Sequence, residues 1–269
     1  MRSAIKRRLR RALRRFDIGV TRYGVLQKLE QDSRASNVIG LLLEIPNEQN
    51  EQLLRNSHHS NSQFGQDLFA LHATKFKKEG YFVEFGATNG IELSNTYLLE
   101  KRFGWKGILA EPARCWHQEL KANRTCHIET DCVWSESNKE LSFQEGDWWE
   151  FSGINMPGMA RKRSLKSYSV KTISLTDLLD RYNAPRVVDY LSIDTEGSEL
   201  EILNSFNFEK YRFRAITCEH NLNQTRRNEL WALLTSKGYV RKFENASVND
   251  DWYVHPLLVS DPKSESPAL

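Results

Sequence analysis

Hydrophobic residues fall along this chain in short runs, and stretches of helical spacing separate one run from the next. Tyr81, Phe82, Val83 and Phe85 form the first run, interrupted by Glu84. Ile108, Leu109 and Ala110 form the second, and Cys126 to Glu129 a shorter third. Val187, Val188, Tyr190, Leu191 and Ile193 make a fourth, and Ala215, Ile216 and Cys218 a fifth. Runs of this length bounded by turn residues read as buried strands. Between them, Phe64, Leu68 and Leu71 share a helical face, as do Leu98, Leu99 and Phe103, and Leu200, Leu203 and Phe206. Ser94 reads as an N-cap for the second of these helices, and Gly104 and Gly238 read as helix stops. Two last runs, 239–243 and 251–254, read as a closing hairpin. The alternation predicts an α/β fold: a doubly wound, mostly parallel sheet with one reversed edge strand.

That pattern occupies residues 62–255 and defines one catalytic-sized domain. Ahead of it, residues 1–61 read as a basic amphipathic arm followed by a polar linker. The arm places Ile5, Leu9, Leu13 and Phe16 at helical spacing among arginines; the linker holds Asn47, Asn50, Asn56, His58 and His59. Residues 256–269 read as a disordered tail. Residues 141–170 are irregular, with Trp148, Trp149 and a basic run from Arg161 to Arg163. Long insertions in α/β enzymes build the substrate side of a pocket; here the tryptophans suit sugar stacking and the basic run suits phosphate. Core aromatics and a solvated charge run are the plainer reading of the same residues.

Composition narrows the class. A chain of 269 residues with 39% hydrophobic content can bury one substantial core. Its four cysteines lack CxxC or zinc spacing, and no secretory h-region is visible, so free thiols and a cytoplasmic location are expected. The net charge of +3 is uneven. Residues 1–31 carry ten basic and two acidic side chains, a balance of +8, which leaves −5 for the rest. An acidic body argues against a nucleic-acid binder. The arm suits an anionic membrane surface, which would make the protein peripheral on the inner face of a membrane, or packs its stripe on its own protein; an organelle transit peptide shares its composition.

The candidate chemistry lies where strands end. A loop from Gly86 to Gly90 joins the first strand to a helix, which lets a ligand approach the backbone. Glu111 ends the next strand about 20 residues later, where nucleoside-binding units place an acid for ribose hydroxyls. The loop lacks the middle glycine of a dinucleotide fingerprint, and Glu84 would repel phosphate. A positively charged ligand with an amino group fits better, which describes S-adenosylmethionine. Asp131 ends the third strand, within reach of an adenine amino group. Asp194 with Glu196, and Glu219 with His220 and Asn221, end the next two. Such a rim of acids suits a sulfonium cation, a divalent metal, or both. Methyl transfer requires an aligned acceptor and a base for its proton, and Asp194, then His220 and Glu196, are the candidates.

Several segments carry a resemblance in order from about Ser62 to Tyr253: Ser62-Gln63-Phe64-Gly65-Gln66-Asp67, Phe82 to Ala87, Ser94-Asn95-Thr96, Gly104 to Pro112, Ser192 to Glu199, and Glu219-His220-Asn221. Together they resemble the FkbM family of S-adenosylmethionine-dependent methyltransferases. The resemblance implies a class I methyltransferase fold, Rossmann-like, with seven strands and the last one reversed. It implies O-methylation, often of sugar hydroxyls in glycans or natural products. By position, Glu84, Gly86, Ala87, Asn89 and Gly90 would hold the methionine part, Glu111 the ribose and Asp131 the adenine end. The layout also resembles metal-dependent O-methyltransferases, on which Asp194, Glu219 and Asn221 would bind Mg2+. The acceptor is left open between a glycan, a lipid-linked sugar and a small natural product. A membrane-associated scaffold without turnover is the competing reading.

Overall fold

The structure is a computed structural model of the chain that describes residues 37–146, 153–154, 164–244, 246–247 and 249–260. In chain order the elements are residues 37–44 (α1), Asn47–Ser57 (α2), Gln66–Ala73 (α3), Tyr81–Phe85 (β1), Tyr97–Phe103 (α4), Lys106–Ala110 (β2), His117–Asn123 (α5) and His127–Glu129 (β3). Next come Cys132–Trp134 (β4), Glu140–Gly146 (β5), Gly153–Ile154 (β6), Ser164–Ser174 (β7) and Leu175–Arg181 (α6). Val187–Ile193 (β8), Glu199–Ser205 (α7), Arg212–Glu219 (β9), Gln224–Ser236 (α8), Val240–Lys242 (β10), Asp250–Val254 (β11) and Pro256–Ser260 (α9) complete the series.

Seven strands make the main sheet in the order β10-β11-β9-β8-β1-β2-β3. The pairs β1–β2, β2–β3, β1–β8 and β8–β9 are parallel, and β11 is antiparallel to both β9 and β10. The reversed strand is therefore the last in sequence, one position in from the edge that β10 forms. Because strand side chains alternate between faces, each central strand feeds two cores. Val83, Phe85, Leu191 and Ile216 pack with α6, α7 and α8 on one face, and Phe82, Tyr190, Ala215 and Trp252 with α1 to α5 on the other. Strand order reverses between β1 and β8, so their carboxyl ends open a crevice at the centre of the sheet.

Three segments differ from the sequence reading. The expected polar linker is helical, and Leu41, Ile45 and Leu53 from it are buried in the second core. The polar composition belongs to α2, where Leu53 alone among the described side chains is buried, whereas α1 is largely apolar. The tail expected to be disordered from Pro256 starts as α9, anchored by buried Leu258, whose carbonyl accepts a hydrogen bond from Arg214. The irregular insertion forms a second sheet, β4-β7-β5-β6, built mainly on the pairing of β5 with β7. The basic arm at residues 1–31, Trp148, Trp149, the run from Arg161 to Arg163 and residues 261–269 lie outside the described residues. No described helix is long and apolar enough to cross a membrane.

His72 on α3 joins the N-terminal helices to the body. Its Nδ1 sits 2.7 Å from Gln49 Oε1, and its ring meets Phe243 edge-on at 5.4 Å. Burial lowers its pKa from 6.5 to about 4, so the folded state holds the ring neutral. The unfolded chain takes up this proton below 6.5, and the folded chain does so only near 4. Stability is therefore lost as pH falls through that window. Urea titrations are expected to show lower stability at about pH 5 than at about pH 7, and a smaller drop in His72→Gln, which does not titrate there.

Candidate active site

Four strand ends, those of β1, β2, β8 and β9, and the loops after them enclose a cavity of about 240 Å3 at the carboxyl edge of the sheet. Gly86 opens the first loop with a φ of 72°. A Cβ there would overlap the backbone oxygen of Asp194, so the ends of β1 and β8 approach too closely for a side chain. Glu84, one face over on β1, is buried and lines the cavity. Its oxygens anchor the following turn: Oε1 accepts Asn95 N–H at 2.7 Å, and Oε2 accepts Ser94 Oγ at 3.0 Å and the Thr96 hydroxyl. Buried Arg124 stands behind them, 3.9 Å from Glu84 and 2.7 Å from Glu100, and donates to Gly90 O. Glu84 thus fixes the turn that leads into α4. That helix begins at Tyr97 rather than Ser94, and Ser94 Oγ still caps it by accepting the Thr96 and Tyr97 N–H groups.

Glu111 ends β2 and receives Thr88 N–H on Oε2 and Ala113 N–H on Oε1, both at 2.8 Å. Each oxygen keeps a second lone pair, enough to accept two hydroxyls. Burial pushes this carboxyl up to about 7; the two N–H groups pull it down, and Asp194 and Glu145 push it further up. Beyond it the cavity becomes apolar, where Pro112, Trp116, Val133 and Phe143 form a slot suited to a flat ring. Phe143 comes from β5, so the second sheet closes the nucleoside end.

The opposite end is acidic. Asp194 is exposed after β8, with Glu196 following in a left-handed conformation, and Glu219 ends β9. One oxygen from each of the three lies within 4.8 Å of the others. Burial holds the Glu219 carboxyl far above the usual range, and Asp194 and Glu196 add to the effect. Glu199 keeps the β8 loop in place: its Oε1 accepts Thr195 N–H, Thr195 Oγ1 and Gly197 N–H. Asn221 donates from Nδ2 to Glu219 at 3.0 Å and Glu196 at 3.3 Å.

Of the residues singled out in the sequence, Glu84, Gly86, Glu111, Asp194, Glu196, Glu219 and Asn221 line one cavity. Ala87, Asn89 and Gly90 shape the loop without lining it. Asp131 is turned aside by Arg181, whose Nη1 reaches Asp131 at 3.2 Å and Glu129 at 2.5 Å. His220 is the largest correction. It is buried and does not line the cavity: Nδ1 meets Leu222 N–H at 3.1 Å and Nε2 faces Asp251 at 3.9 Å. Because it does not reach the cavity, it is not placed as a base. Lining residues that no site assignment named include Gln63, Gln66, Thr88, Asn95, Trp116 and Asn249. Gln63, Gln66 and Asn95 stand in the segments that carry the resemblance; Trp116 and Asn249 had no comparable signal.

Six carboxylates line the cavity and no described lining residue is basic. That set disfavours a pyrophosphate and fits a cation. The residues present thus fit S-adenosylmethionine: free lone pairs on Glu111 for a ribose, an apolar slot for a base, and acids for a sulfonium.

A family model described as "Methyltransferase FkbM domain" matches residues 84–241. Among solved structures, precorrin-6y C5,15-methyltransferase from Geobacter metallireducens GS-15 aligns at 9% identity with a TM-score of 0.39, over 70% of this chain and 86% of that one. Methyltransferase FkbM from Methylobacillus flagellatus KT aligns at 12% identity with a TM-score of 0.44, over 81% of this chain and 58% of that one. No curated protein matches the sequence.

Proposed function

The chain belongs to the FkbM-domain methyltransferase family and is an S-adenosylmethionine-dependent methyltransferase, and from that premise we propose that it methylates a hydroxyl oxygen of a carbohydrate acceptor. The cofactor supplies an activated methyl group. The chain must hold the acceptor oxygen in line with it and remove the hydroxyl proton. Asp194 suits proton removal because it is exposed in the cavity, whereas its neighbour Glu219 is held protonated by burial and by the charges beside it. Glu196 and Asn221 then help to orient the acceptor.

The observation that carries the carbohydrate reading is the acid-and-amide rim, where Gln63, Gln66, Asn221 and Asn249 stand beside Asp194 and Glu196. Donors and acceptors in that density match a polyol and serve an apolar acceptor poorly. The test is transfer of tritiated methyl from S-adenosylmethionine to a panel of methyl hexosides and 6-deoxyhexosides. Product from at least one hydroxyl position supports the reading; transfer confined to acceptors without sugar hydroxyls rejects it.

A second reading has its own support, since the spacing of Asp194, Glu196 and Glu219 would let one divalent cation bridge them. Bound there, Mg2+ would hold the acceptor oxygen in place of direct proton removal by Asp194. Exhaustive treatment with EDTA is expected to leave methyl transfer unchanged. Activity lost to the chelator and restored by Mg2+ would instead favour the cation.

A further inference from the structure

We propose that His220 is a positioning residue for methyl transfer, holding the left-handed Asn221–Leu222 turn that aims the Asn221 amide at Glu196 and Glu219. The inference rests on the methyltransferase reading above. Asn221 and Leu222 follow one another with φ of 50° and 56°, a conformation that leucine rarely adopts. Such strain persists only where its surroundings fix it. Here the Leu222 N–H donates to His220 Nδ1 at 3.1 Å, and Asn223 N–H donates to His220 O at 2.8 Å. His220 and Asn221 both donate their N–H groups to Asn249 O, at 2.9 and 3.2 Å.

The imidazole is 2% exposed, so this bond is shielded from water. For Nδ1 to accept, the ring must be neutral with its proton on Nε2, which faces Asp251 Oδ1 at 3.9 Å. The turn has a direct consequence in the cavity. Asn221 Nδ2 reaches Glu219 Oε2 at 3.0 Å and Glu196 Oε2 at 3.3 Å, tying the loop after β9 to the loop after β8. Glu196 is itself left-handed, at φ 56°. Two strained loops thus meet through one amide, and His220 sets where that amide stands.

The test uses the full chain with His220→Ala and His220→Asn. Asparagine can offer Oδ1 to Leu222 N–H in place of Nδ1; alanine cannot. Three readouts are taken: the 15N-labelled Asn221 side-chain amide resonances, the dissociation constant for S-adenosylmethionine, and kcat for tritium transfer to methyl glycosides. In His220→Ala the Asn221 amide is expected to move towards free-amide shifts. Its kcat should fall tenfold to a hundredfold, with cofactor affinity within twofold. His220→Asn should recover most of both losses and keep the wild-type pH–rate profile. His220→Leu, which fills the site without an acceptor, repeats the comparison should the alanine variant not fold. Unchanged Asn221 resonances in the alanine or leucine variant would overturn the proposal. So would an asparagine variant as slow as alanine with the acidic limb of its pH profile gone, which is the signature of a general base. Failure of the wild-type chain to bind S-adenosylmethionine would count against the functional reading instead, and the Asn221 resonances would still decide the role of His220.

Discussion

Gly86→Ala is expected to lower affinity for S-adenosylmethionine at least a hundredfold and to destabilise the fold as well. Two independent effects act at this position. The φ of 72° costs an L residue on the order of 1–2 kcal/mol. The added Cβ also meets the Asp194 backbone oxygen, which belongs to a strand end and cannot rotate away. Overpacking of that kind typically costs about 1–3 kcal/mol. Relief requires β1 and β8 to separate at the cavity floor, which displaces the glycine loop and the candidate base together. A hundredfold loss corresponds to about 2.7 kcal/mol, within the combined range. Calorimetric titration and thermal unfolding of the variant read the two effects separately. Wild-type affinity in a folded Gly86→Ala chain would show that the cofactor does not depend on this loop.

Asp194→Asn is expected to reduce kcat by about 10²–10⁴-fold, the usual range for loss of a positioned base, while cofactor affinity changes little. The substitution keeps the shape and hydrogen-bonding reach of the side chain and removes its ability to take a proton. Asp194 is exposed, so no buried charge is stranded and stability should hold. The companion Glu196→Gln should raise KM for the acceptor more than it lowers kcat, since Glu196 is assigned to orientation. An Asp194→Asn enzyme with normal turnover would move the base elsewhere in the rim, to Glu196, the other lining acid after β8.

Much of the sheet was legible because β1, β2, β8 and β9 are mostly apolar runs, broken by few polar residues such as Glu84, Asp189 and Thr217. A glycine or an acid stands where each ends. Gly86 and Glu111 could be placed for the same reason: each stands where a strand stops. The side on which a residue points was harder to read. In the tripeptide Glu219-His220-Asn221 all three residues can serve catalysis by type, yet neighbours along a strand face opposite ways. Glu219 therefore meets the cavity while His220 turns towards Asp251. The same alternation separates Asp250, which meets Gln66 at 3.1 Å, from Asp251, which Arg227 holds at 2.7 Å. Long-range capture was invisible for a different reason: Arg181, which occupies Asp131, lies 50 residues away. Glu84 lines the cavity and also anchors a turn, a task that could not be read locally because the residues that engage it, Ser94, Asn95 and Thr96, come from beyond the loop. The N-terminal helices were hidden in two ways. Residues 38–45 are an apolar run too short to stand out as a helix face, and in Asn47–Ser57 the one described side chain that is fully buried, Leu53, stands among polar residues.

The most direct test is an isothermal titration of the wild-type chain with S-adenosylmethionine, with NAD titrated in parallel. Saturable binding of S-adenosylmethionine at one site per chain, with no measurable heat from NAD, is the result expected of a cavity whose described lining holds six carboxylates and no basic residue. Binding of NAD, or no binding of S-adenosylmethionine at any concentration reached, would contradict it.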